Sequence, residues 1–502
     1  MKHKHIKHIL ILVSALLFVC GCNDFLDKVP YDSIGTSSTL SEKDAVSLVN
    51  AAYQPLQWPK LYNMRIWSTD VVAGESVVGA GGGTDGIETV QLSNFTADPS
   101  NAAATDIWRS TPGILRSNLA LSELKKTNID EALKLRLMAE CHFLRAHYHF
   151  ILVRFFGDIP LRTEPIFAGD ELNIARTPKE KVYQTIIEDC QAAIEGLPYK
   201  AQYSSTEVGR ACKEAAECML AKVYLTLGNN YDKVVDLCQN IENQGYDLSK
   251  MAYADNWYNP ETGVLNQNGP ESLFEIQYTG DPAACTNWLS DNDNQSQWLN
   301  CFMAPRNSNM VGGGGYGWQH VSKEFVSQYE PGDLRKDVTI FYEGCPDFGD
   351  IEYDPNWSTT GHNVRKWCVP ISLCDKVSNC PANIVVYRFA DVLLMKAEAL
   401  NELRKTEEAQ IPLNKVRSRA GLPACELTDY SEMKEKIIHE RRMELAFEGH
   451  RWFDLIRIDG GDYAVSFLKS IGKNNVTKER LLYPVPQVEI DSNPLFVQNP
   501  GY

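Results

Sequence analysis

Apolar residues recur at helical spacing over several long blocks of this sequence, and many of the blocks come as neighbouring pairs. Residues 211–245 read as two helices joined at a Gly-Asn turn, and residues 385–423 read as a second such pair. Residues 133–161 read as one long helix that ends at Gly157 and Pro160. Because a single helix pair cannot bury its own apolar face, repeated pairs predict an all-α scaffold in which the pairs stack on one another.

The first helix of the 211–245 pair has the residue spacing of a tetratricopeptide repeat. Leu220, Ala221, Tyr224 and Gly228 fit its L-A-x-x-Y-x-x-x-G pattern. A small residue such as Ala221 lets the partner helix approach, and a tyrosine fills the groove between the two helices. The partial match predicts tetratricopeptide-like pairs whose sequences have diverged too far to align well.

Two stretches between the helical blocks lack periodicity. Residues 56–112 contain AGGGTDG, and residues 250–380 contain NWLSDNDNQSQW and VGGGGYGWQH. Stretches of this length are too long to be simple connections between packed helices. Since loops held on a rigid scaffold commonly carry binding residues, we expect these stretches to form the functional surface.

The N-terminus has the parts of an export signal. MKHKHIKH is basic, the apolar run ILILVSALLFV is too short to span a bilayer, and small residues follow. Gly21 supplies the small residue that precedes a lipid-modified cysteine at Cys22, whereas bulky Val19 precedes Cys20. We therefore predict a lipoprotein signal peptide at residues 1–21 and lipidation of Cys22. A secreted protein with two incidental cysteines is the alternative.

The charge balance excludes one class of partner. The net charge is −16, and removal of residues 1–21, which hold three lysines and no acidic residue, gives −16 − 3 = −19. Nucleic-acid binding needs a basic face that neutralises phosphates, so we predict no nucleic-acid partner. A neutral or polar ligand fits this charge better than an anionic one.

Twelve cysteines follow Cys22. Cys368, Cys374 and Cys380 are six residues apart, with no C-x-x-C pair and no paired-histidine motif, so we predict no metal site there. Disulfides remain an alternative in an exported protein. Four other cysteines lie in helical patterns and are expected to be buried thiols. These are Cys141, Cys190, Cys218 and Cys238.

One predicted helix, residues 439–457, has the sequence HERRMELAFEGHRWFDLIR, in which histidines and carboxylates mix as they do in metal and acid–base sites. Its acids and arginines are spaced i,i+3, which favours ion pairs. The pairs are Arg441 with Glu444, Glu448 with Arg451, and Asp454 with Arg457. A catalytic carboxylate or metal ligand needs an unpaired neighbourhood, and no H-E-x-x-H motif is present. We therefore predict a structural charge network on one continuous helix.

Several motifs, in the same order along the chain, are similar to those of the SusD/RagB family of lipoproteins. Residues 439–457 resemble the family's E-R-x-x-E-L-x-F-E-G-x-R-W-x-D-L-x-R helix, and ECHFLRAHYHFILVRFFGDIPL resembles F-L-R-A-x-x-Y-F-x-L-V-x-x-F-G-D-I-P-L. The ending LLYPVPQVEIDSNPLFVQNPGY is similar to P-I-P-x-x-E-I-x-x-N-P-x-L-x-Q-N-P-G-Y and is the most specific match. IWRSTPGILRSNLAL departs from the family's pattern by placing Pro112 where an aromatic residue is usual.

This resemblance implies a fold, a location and a role. It implies four tetratricopeptide-like helix pairs with the irregular segments packed on them, divided into an N-terminal region, 22–215, and a C-terminal region, 216–502, that includes the loop-rich segment 250–380. It implies a lipid anchor on the outer face of a Gram-negative outer membrane. There such a protein caps a TonB-dependent, SusC-like transporter and delivers glycans, or peptides in some members, to it. Members of the family bind and do not catalyse.

We therefore predict a glycan-binding lipoprotein that is not an enzyme and uses no cofactor. A peptide-binding member of the same family is one alternative. A glycoside hydrolase is another, because it needs two carboxylates about 5 to 9.5 Å apart across a cleft. The candidate carboxylates are Glu271, Glu275, Asp291 and Asp293. The glycine runs at 81–83 and 312–315 lack the G-K-[ST] of a phosphate-binding loop.

The ligand residues are chosen on physical grounds, because the family's ligand residues lie in variable loops. Sugar rings have apolar C–H faces that stack on tryptophan and tyrosine. The candidates are Trp67, Trp288, Trp298, Tyr316 and Trp318. The last two follow a glycine run that lets a chain approach closely. Burial under a loop is the alternative for each, since tryptophan is usually well buried. Trp108 and Trp452 lie in helix motifs and are expected in the core.

Overall fold

The scaffold is an array of α-helices. The computed structural model describes residues 40–109, 111–285 and 294–502. Its helices are α1 (Glu42–Tyr53), α2 (Ser68–Val72), α3 (Ile87–Ser93), α4 (Ala102–Arg109), α5 (Gly113–Lys126), α6 (Glu131–Phe156), α7 (Lys179–Gly196), α8 (Lys213–Leu227), α9 (Tyr231–Glu242), α10 (Leu299–Met303), α11 (Lys323–Val326), α12 (Arg335–Thr339), α13 (Phe389–Glu402), α14 (Thr406–Arg419), α15 (Tyr430–Glu444), α16 (Arg451–Arg457), α17 (Asp462–Ser470) and α18 (Gln487–Ser492). In these parts of the chain, no helix is both long and apolar enough to cross a bilayer.

Four helix pairs form this array: α1 with α5, α6 with α7, α8 with α9, and α13 with α14. Each pair also packs on the next, through α5 against α6, α7 against α8, and α9 against α13. Helix α15 packs on α13 and α14. The predicted all-α, tetratricopeptide-like scaffold of four pairs is therefore confirmed.

The longest helix shows how local sequence sets the ends of these elements. Asp130 caps α6 by accepting a hydrogen bond from the backbone N–H of Leu133 (2.9 Å). Gly157 ends the helix with a φ of 70°, a left-handed conformation that glycine adopts without a steric penalty. Most side chains of α6 are buried, because α5 and α7 cover two of its sides. Trp108 and Trp452 are buried too, as expected for core residues.

The two irregular stretches are inserted between scaffold helices, the first between α1 and α5 and the second between α9 and α13. Their strands are β1 (Ser76–Val78), β2 (Tyr258–Asn259), β3 (Val264–Leu265), β4 (Ser272–Ile276), β5 (Gln319–Val321), β6 (Ile340–Phe341), β7 (Asn363–Val364) and β8 (Ile384–Arg388). A four-stranded antiparallel sheet has the order β1-β5-β7-β6, with Val78 opposite Gln319. Because β1 comes from the first stretch and β5 from the second, this sheet joins the two stretches.

The segment predicted as one helix at 439–457 is two helices. Helix α15 ends at Glu444 and α16 begins at Arg451. Phe447 (φ 62°) and Gly449 (φ 75°) are left-handed, and a Cβ on Gly449 would lie only 2.4 Å from Ile66 Cγ2. The prediction of a continuous helix is therefore wrong, because this turn packs tightly against the first irregular stretch.

Candidate functional site

Eight charged side chains around the end of α15 form what we call the buried charge network. Its members are Glu271, Arg335, Lys366, Arg388, Arg419, Glu440, Glu444 and Glu448. Each exposes at most 3% of its side chain, and each has an oppositely charged partner within the network. A buried charge is tolerated when it is paired and hydrogen-bonded in this way.

Arg388 is the centre of the buried charge network. Its Nη1 donates to Glu271 Oε1 (2.9 Å) and to Glu444 Oε1 (2.6 Å), and its Nε donates to Glu448 Oε2 (2.8 Å). Lys366 Nζ donates to the second oxygen of Glu448 (2.8 Å). The acids therefore share cations that come from other elements of the fold.

Glu444 accepts hydrogen bonds from Arg335 (3.1 Å), Arg388 (2.6 Å) and Arg419. Burial by itself would raise the pKa of this carboxyl, but the guanidinium groups of Arg419, Arg388 and Arg335 outweigh that effect and hold the pKa well below its usual range. Glu444 therefore stays ionised and fully paired, which is unlike a carboxyl that exchanges protons with a substrate. The predicted structural charge network is confirmed.

Most ion pairs of the segment 439–457 join residues that are far apart in sequence. Among the residues that the structure describes, Asp454 with Arg457 is the one predicted i,i+3 pair that forms (2.8 Å). Arg441 contacts Asp391 on α13 (2.9 Å) and Asp454 on α16 (3.0 Å), while Glu448 pairs within the network. The other two predicted pairs are wrong, because partners on neighbouring elements lie closer than those one helical turn away.

The carboxylates of the hydrolase hypothesis are only partly described. Glu271 belongs to the buried charge network, and Glu275 is buried and accepts a hydrogen bond from Asn383 Nδ2 (2.8 Å). Asp291 and Asp293 lie outside the described residues. Each of the two described acids is thus already engaged by its own protein.

The twelve cysteines within the described residues are buried free thiols, as expected for Cys141, Cys190, Cys218 and Cys238. Cys374 Sγ donates to the carbonyl of Lys376 (3.2 Å). Within residues 40–109, 111–285 and 294–502, no group of three or more His, Cys, Asp and Glu side chains is arranged to hold a metal ion.

Five aromatic side chains from the two irregular stretches meet in what we call the aromatic cluster: Trp67, Trp298, Phe302, Tyr316 and Trp318. Phe302 stacks on Trp318 with ring centroids 4.3 Å apart and planes 2° apart, and lies 6.1 Å from Trp298 and 5.8 Å from Tyr316. Trp67 lies 6.0 Å from Trp318. The structure therefore brings four of the five predicted ligand residues together; the fifth, Trp288, lies outside the described residues.

The glycine run holds Tyr316 and Trp318 against α10. The backbone N–H of Tyr316 donates to the carbonyl of Cys301 (2.8 Å). Gly315 has a φ of 74°, and a Cβ there would lie 2.3 Å from the carbonyl oxygen of Pro305. The space beside Gly315, which we expected an approaching ligand to use, is therefore filled by the protein's own chain at Pro305.

Burial divides the aromatic cluster into two layers. Trp67 and Trp298 are only 4% and 5% exposed, and Trp298 Nε1 donates to Asn294 Oδ1 (2.6 Å). Tyr316 and Trp318 are half-buried and keep part of each ring at the surface. Burial, aided by Cys301, raises the pKa of Tyr316, so its hydroxyl remains uncharged. The exposed layer of the cluster is therefore aromatic and neutral.

Polar groups border this exposed layer. Arg306 Nη1 lies 3.8 Å from Asp85 Oδ2, and both side chains are about half exposed. Gly317 stands between Tyr316 and Trp318 in the sequence. The backbone nitrogen of Arg306 lies 3.3 Å from the position of a Cβ on Gly317, so the chain at Arg306 runs beside this segment. Asp85 comes from the AGGGTDG loop that follows β1. Aromatic faces edged by hydrogen-bonding groups are suited to a ligand with an apolar face and polar edges.

Sequence reasoning missed Phe302 and the polar border. Phe302 lies four residues after Trp298 on α10, an i,i+4 spacing that puts both rings on one helical face, so this signal was available in the sequence. Asp85 and Arg306 are 221 residues apart, and no local pattern connects them. Their proximity depends on the pairing of β1 with β5.

Two family models cover most of the chain. A model described as the SusD family matches residues 241–502, which is more than half of the sequence. A second, described as "Starch-binding associating with outer membrane", matches residues 24–225. The chain belongs to the SusD family.

Other SusD-like proteins are similar over nearly the whole length. The chain is 27% identical to SusD-like protein P2 of Formosa agariphila, over 99% of this chain and 100% of that protein. A laminarin-binding SusD-like protein of known structure matches with a TM-score of 0.77 and 28% identity, over 92% of this chain and 99% of that one. Surface glycan-binding protein A of Bacteroides fluxus matches with a TM-score of 0.77 and 25% identity, over 92% and 100%. The likeness to these SusD-like structures thus extends over both the scaffold and the inserted stretches.

Proposed function

We propose that this protein binds an oligosaccharide on the exposed face of Tyr316 and Trp318 without cleaving it. The observation that supports this proposal is the pair of half-buried rings on a buried aromatic base, in a chain that belongs to the SusD family. Tyr316 and Trp318 contact the sugar, Phe302 and Trp67 support them, and Trp298 packs on Phe302. Trp288 remains a candidate contact.

The physical properties of this face suit a neutral sugar chain. Stacking on an aromatic face needs no charge, so the acidic balance of the protein does not oppose binding. Phe302 fixes the plane of Trp318, and an aromatic ring has few torsions to immobilise. Asp85 and Arg306 at the border offer an acceptor and a donor to sugar hydroxyls.

Calorimetry with single alanine variants tests the contact surface. We expect Trp318→Ala and Tyr316→Ala each to weaken binding by about tenfold or more, as for other large aromatic anchors. Trp58→Ala is the matched control, since Trp58 is also half-buried but lies outside the aromatic cluster, under Arg116. The titrants are laminarin, laminarihexaose, starch, xylan, mannan and a peptide digest. Unchanged affinity in both cluster variants would reject this surface.

The same panel separates the competing functions. Binding of the peptide digest with no glycan bound would favour the peptide-binding alternative. A steady release of reducing ends from a bound glycan would indicate a hydrolase. We expect neither, because the exposed layer is neutral and aromatic and the described candidate acids are engaged.

The proposal includes a lipid anchor at Cys22 and delivery of the glycan to a SusC-like, TonB-dependent transporter in the outer membrane. The sequence around Gly21-Cys22 supports the anchor, and membership of the SusD family supports the partner. Cys22 lies outside the described residues. We expect Cys22→Ala to move the protein from the membrane fraction to the soluble fraction, and Cys20→Ala to leave it anchored. The reverse result would assign the anchor to Cys20.

A further inference from the structure

His320 lies on the same side of the sheet as the exposed aromatic layer. Trp318 comes just before β5, and its carbonyl accepts a hydrogen bond from the backbone N–H of Gly79 (3.0 Å), so the strand pairing extends to it. His320 follows Trp318 by two residues, and alternate residues of a strand point to the same face. A Cβ on Gly79 would lie 2.2 Å from three atoms of the His320 ring, so the ring rests directly on the Gly79 backbone. His320 Nε2 lies 3.4 Å from the position of a Cβ on Gly317, the residue between Tyr316 and Trp318. This nitrogen therefore lies beside the backbone that joins Tyr316 to Trp318.

The hydrogen bonds of His320 fix which nitrogen holds the proton. Nδ1 accepts a hydrogen bond from the backbone N–H of Thr359 (3.0 Å) and lies 2.9 Å from Thr359 Oγ1. A backbone N–H is only a donor, so Nδ1 has no proton and Nε2 holds the one proton of the neutral ring. Burial lowers the pKa of His320 to about 4, which keeps this neutral form at neutral pH.

Nε2 is the donor that the fold leaves unused. Among the described residues, Nε2 forms no hydrogen bond, and it is not one of the enclosed polar atoms without a partner. The ring as a whole is held firmly, since the residue is only 4% exposed. A donor fixed in this way loses little conformational freedom when it meets a ligand.

We propose that His320 donates a hydrogen bond from Nε2–H to a hydroxyl or ring oxygen of a sugar stacked on Trp318, and so selects the orientation of that sugar. This inference rests on the proposed glycan-binding function. A stacking face alone accepts a sugar in several orientations, whereas a single fixed donor at its edge favours those with an oxygen at that point. The ligand class is a neutral oligosaccharide with a free oxygen on the edge that faces His320.

Two variants separate this contact from a purely structural role. The amide of Asn reaches the position of Nδ1, so His320→Asn keeps an acceptor for Thr359 and removes the donor at Nε2. The amide of Gln reaches the position of Nε2, so His320→Gln keeps a donor there and loses the Thr359 contact. We expect His320→Asn to melt like the wild type and to bind roughly three- to tenfold more weakly. We expect His320→Gln to melt at a lower temperature but to retain most of the affinity.

The titrant is laminarihexaose, followed by the tightest-binding member of the glycan panel. If Trp318→Ala weakens binding while His320→Asn binds like the wild type, the role of His320 is overturned and the proposed function stands. If no glycan binds, or if Trp318→Ala and Tyr316→Ala both bind like the wild type, the proposed surface fails and this inference fails with it. If Trp318→Ala alone binds like the wild type, this inference fails and the proposed function stands on Tyr316.

Nitrogen-15 spectra of labelled histidine give a second readout that does not depend on either variant. We expect His320 to show the Nε2–H tautomer in the free protein, and its Nε2 resonance to shift when glycan is added. A proton on Nδ1, or an Nε2 resonance unmoved by saturating glycan, would overturn the proposal even if His320→Gln did not fold.

Discussion

Charged side chains fill the interior around the end of α15, whereas aromatic rings reach the surface beside β5. In the buried charge network, Arg388 and Glu444 are each at most 1% exposed and every member is paired. In the aromatic cluster, Tyr316 and Trp318 are only half-buried, although the other three members, Trp67, Trp298 and Phe302, are buried. The side chains most often associated with chemistry are therefore inside, and those most often found in a core are partly outside.

The two regions differ in how many of the interactions that their side chains can form are already made within the protein. The carboxylates of the buried charge network have their cations, so little capacity is left for a ligand. Phe302 stacks on one face of Trp318, whereas the exposed parts of Tyr316 and Trp318 are open to a ligand. The chemical type of a residue thus says less about function than the part of its bonding capacity that the fold leaves unused.

The largest expected effect comes from removing one acid of the buried charge network. Glu444→Ala leaves Arg335, Arg388 and Arg419 with an unmatched buried charge, so we expect a loss of about 3–5 kcal/mol in the free energy of unfolding. Glu123→Ala is the control, because Glu123 forms an exposed pair with Lys126, and we expect a change within about 0.5 kcal/mol. Chemical denaturation measures both.

The buried charge network would be the ligand site instead if Glu444→Ala melted normally and failed to bind glycan. Should Glu444→Ala not fold, Glu444→Gln keeps the shape of the side chain and removes its charge. We expect its folded molecules to bind glycan like the wild type.

A smaller loss of stability is expected when the pH is lowered. Acid should destabilise the buried interior and leave the aromatic face unchanged. His147 is buried between the hydroxyls of Tyr62 (2.7 Å) and Tyr387 (3.0 Å), and burial lowers its pKa to about 3. The unfolded chain, with an ordinary histidine pKa near 6.5, takes up the proton first as the pH falls. Stability is therefore complete above about pH 6.5 and declines toward pH 3, by about 2 kcal/mol at pH 5 for this one residue.

Denaturation curves at pH 7 and pH 5 measure this decline, and His147→Gln, which does not titrate, should reduce it. Glycan affinity should stay constant between pH 7 and pH 5, because burial keeps His320 neutral with a pKa of about 4. An affinity that changed over this interval would mean that a titrating group touches the ligand.

The smallest loss of stability is expected from alanine substitutions at two adjacent glycines of the glycine run. Gly314 (φ 82°) and Gly315 (φ 74°) are both left-handed, so alanine at either costs roughly 1–2 kcal/mol of stability. A Cβ on Gly314 meets nothing within 4 Å, whereas a Cβ on Gly315 meets the Pro305 carbonyl at 2.3 Å. We therefore expect Gly314→Ala to keep its glycan affinity and Gly315→Ala to lose it, because the backbone that holds Tyr316 must move. Equal affinities in calorimetry would show that this support is not needed.

Much of the scaffold was predictable from local pattern. The spacing of Leu220, Ala221, Tyr224 and Gly228 indicates a packed helix pair, and α8 with α9 forms one. Gly157 marks the end of α6 because a helix cannot continue through its left-handed φ. The break at Phe447 and Gly449 was not predictable, because the apolar and charged pattern around it is that of a continuous helix.

The candidate site was predictable in composition and not in geometry. A preference for tryptophan and tyrosine in irregular stretches selected Trp67, Trp298, Tyr316 and Trp318, which do meet. Which of them are buried depends on how β1 pairs with β5 and how the glycine run crosses α10, and neither is a local property.

The sequence by itself determined the helix pairs, the family and the residue types available for a site, because periodicity and motif spacing are properties of neighbouring positions. Tertiary structure alone decided the partners: Arg388 meets Glu271 and Glu444, and Trp67 meets Trp318, across separations that no local rule spans. It also decided which ring faces and which histidine nitrogen remain unused. The physical reason is that pairing and burial depend on distances in space, which the packing of the inserted stretches on the scaffold sets.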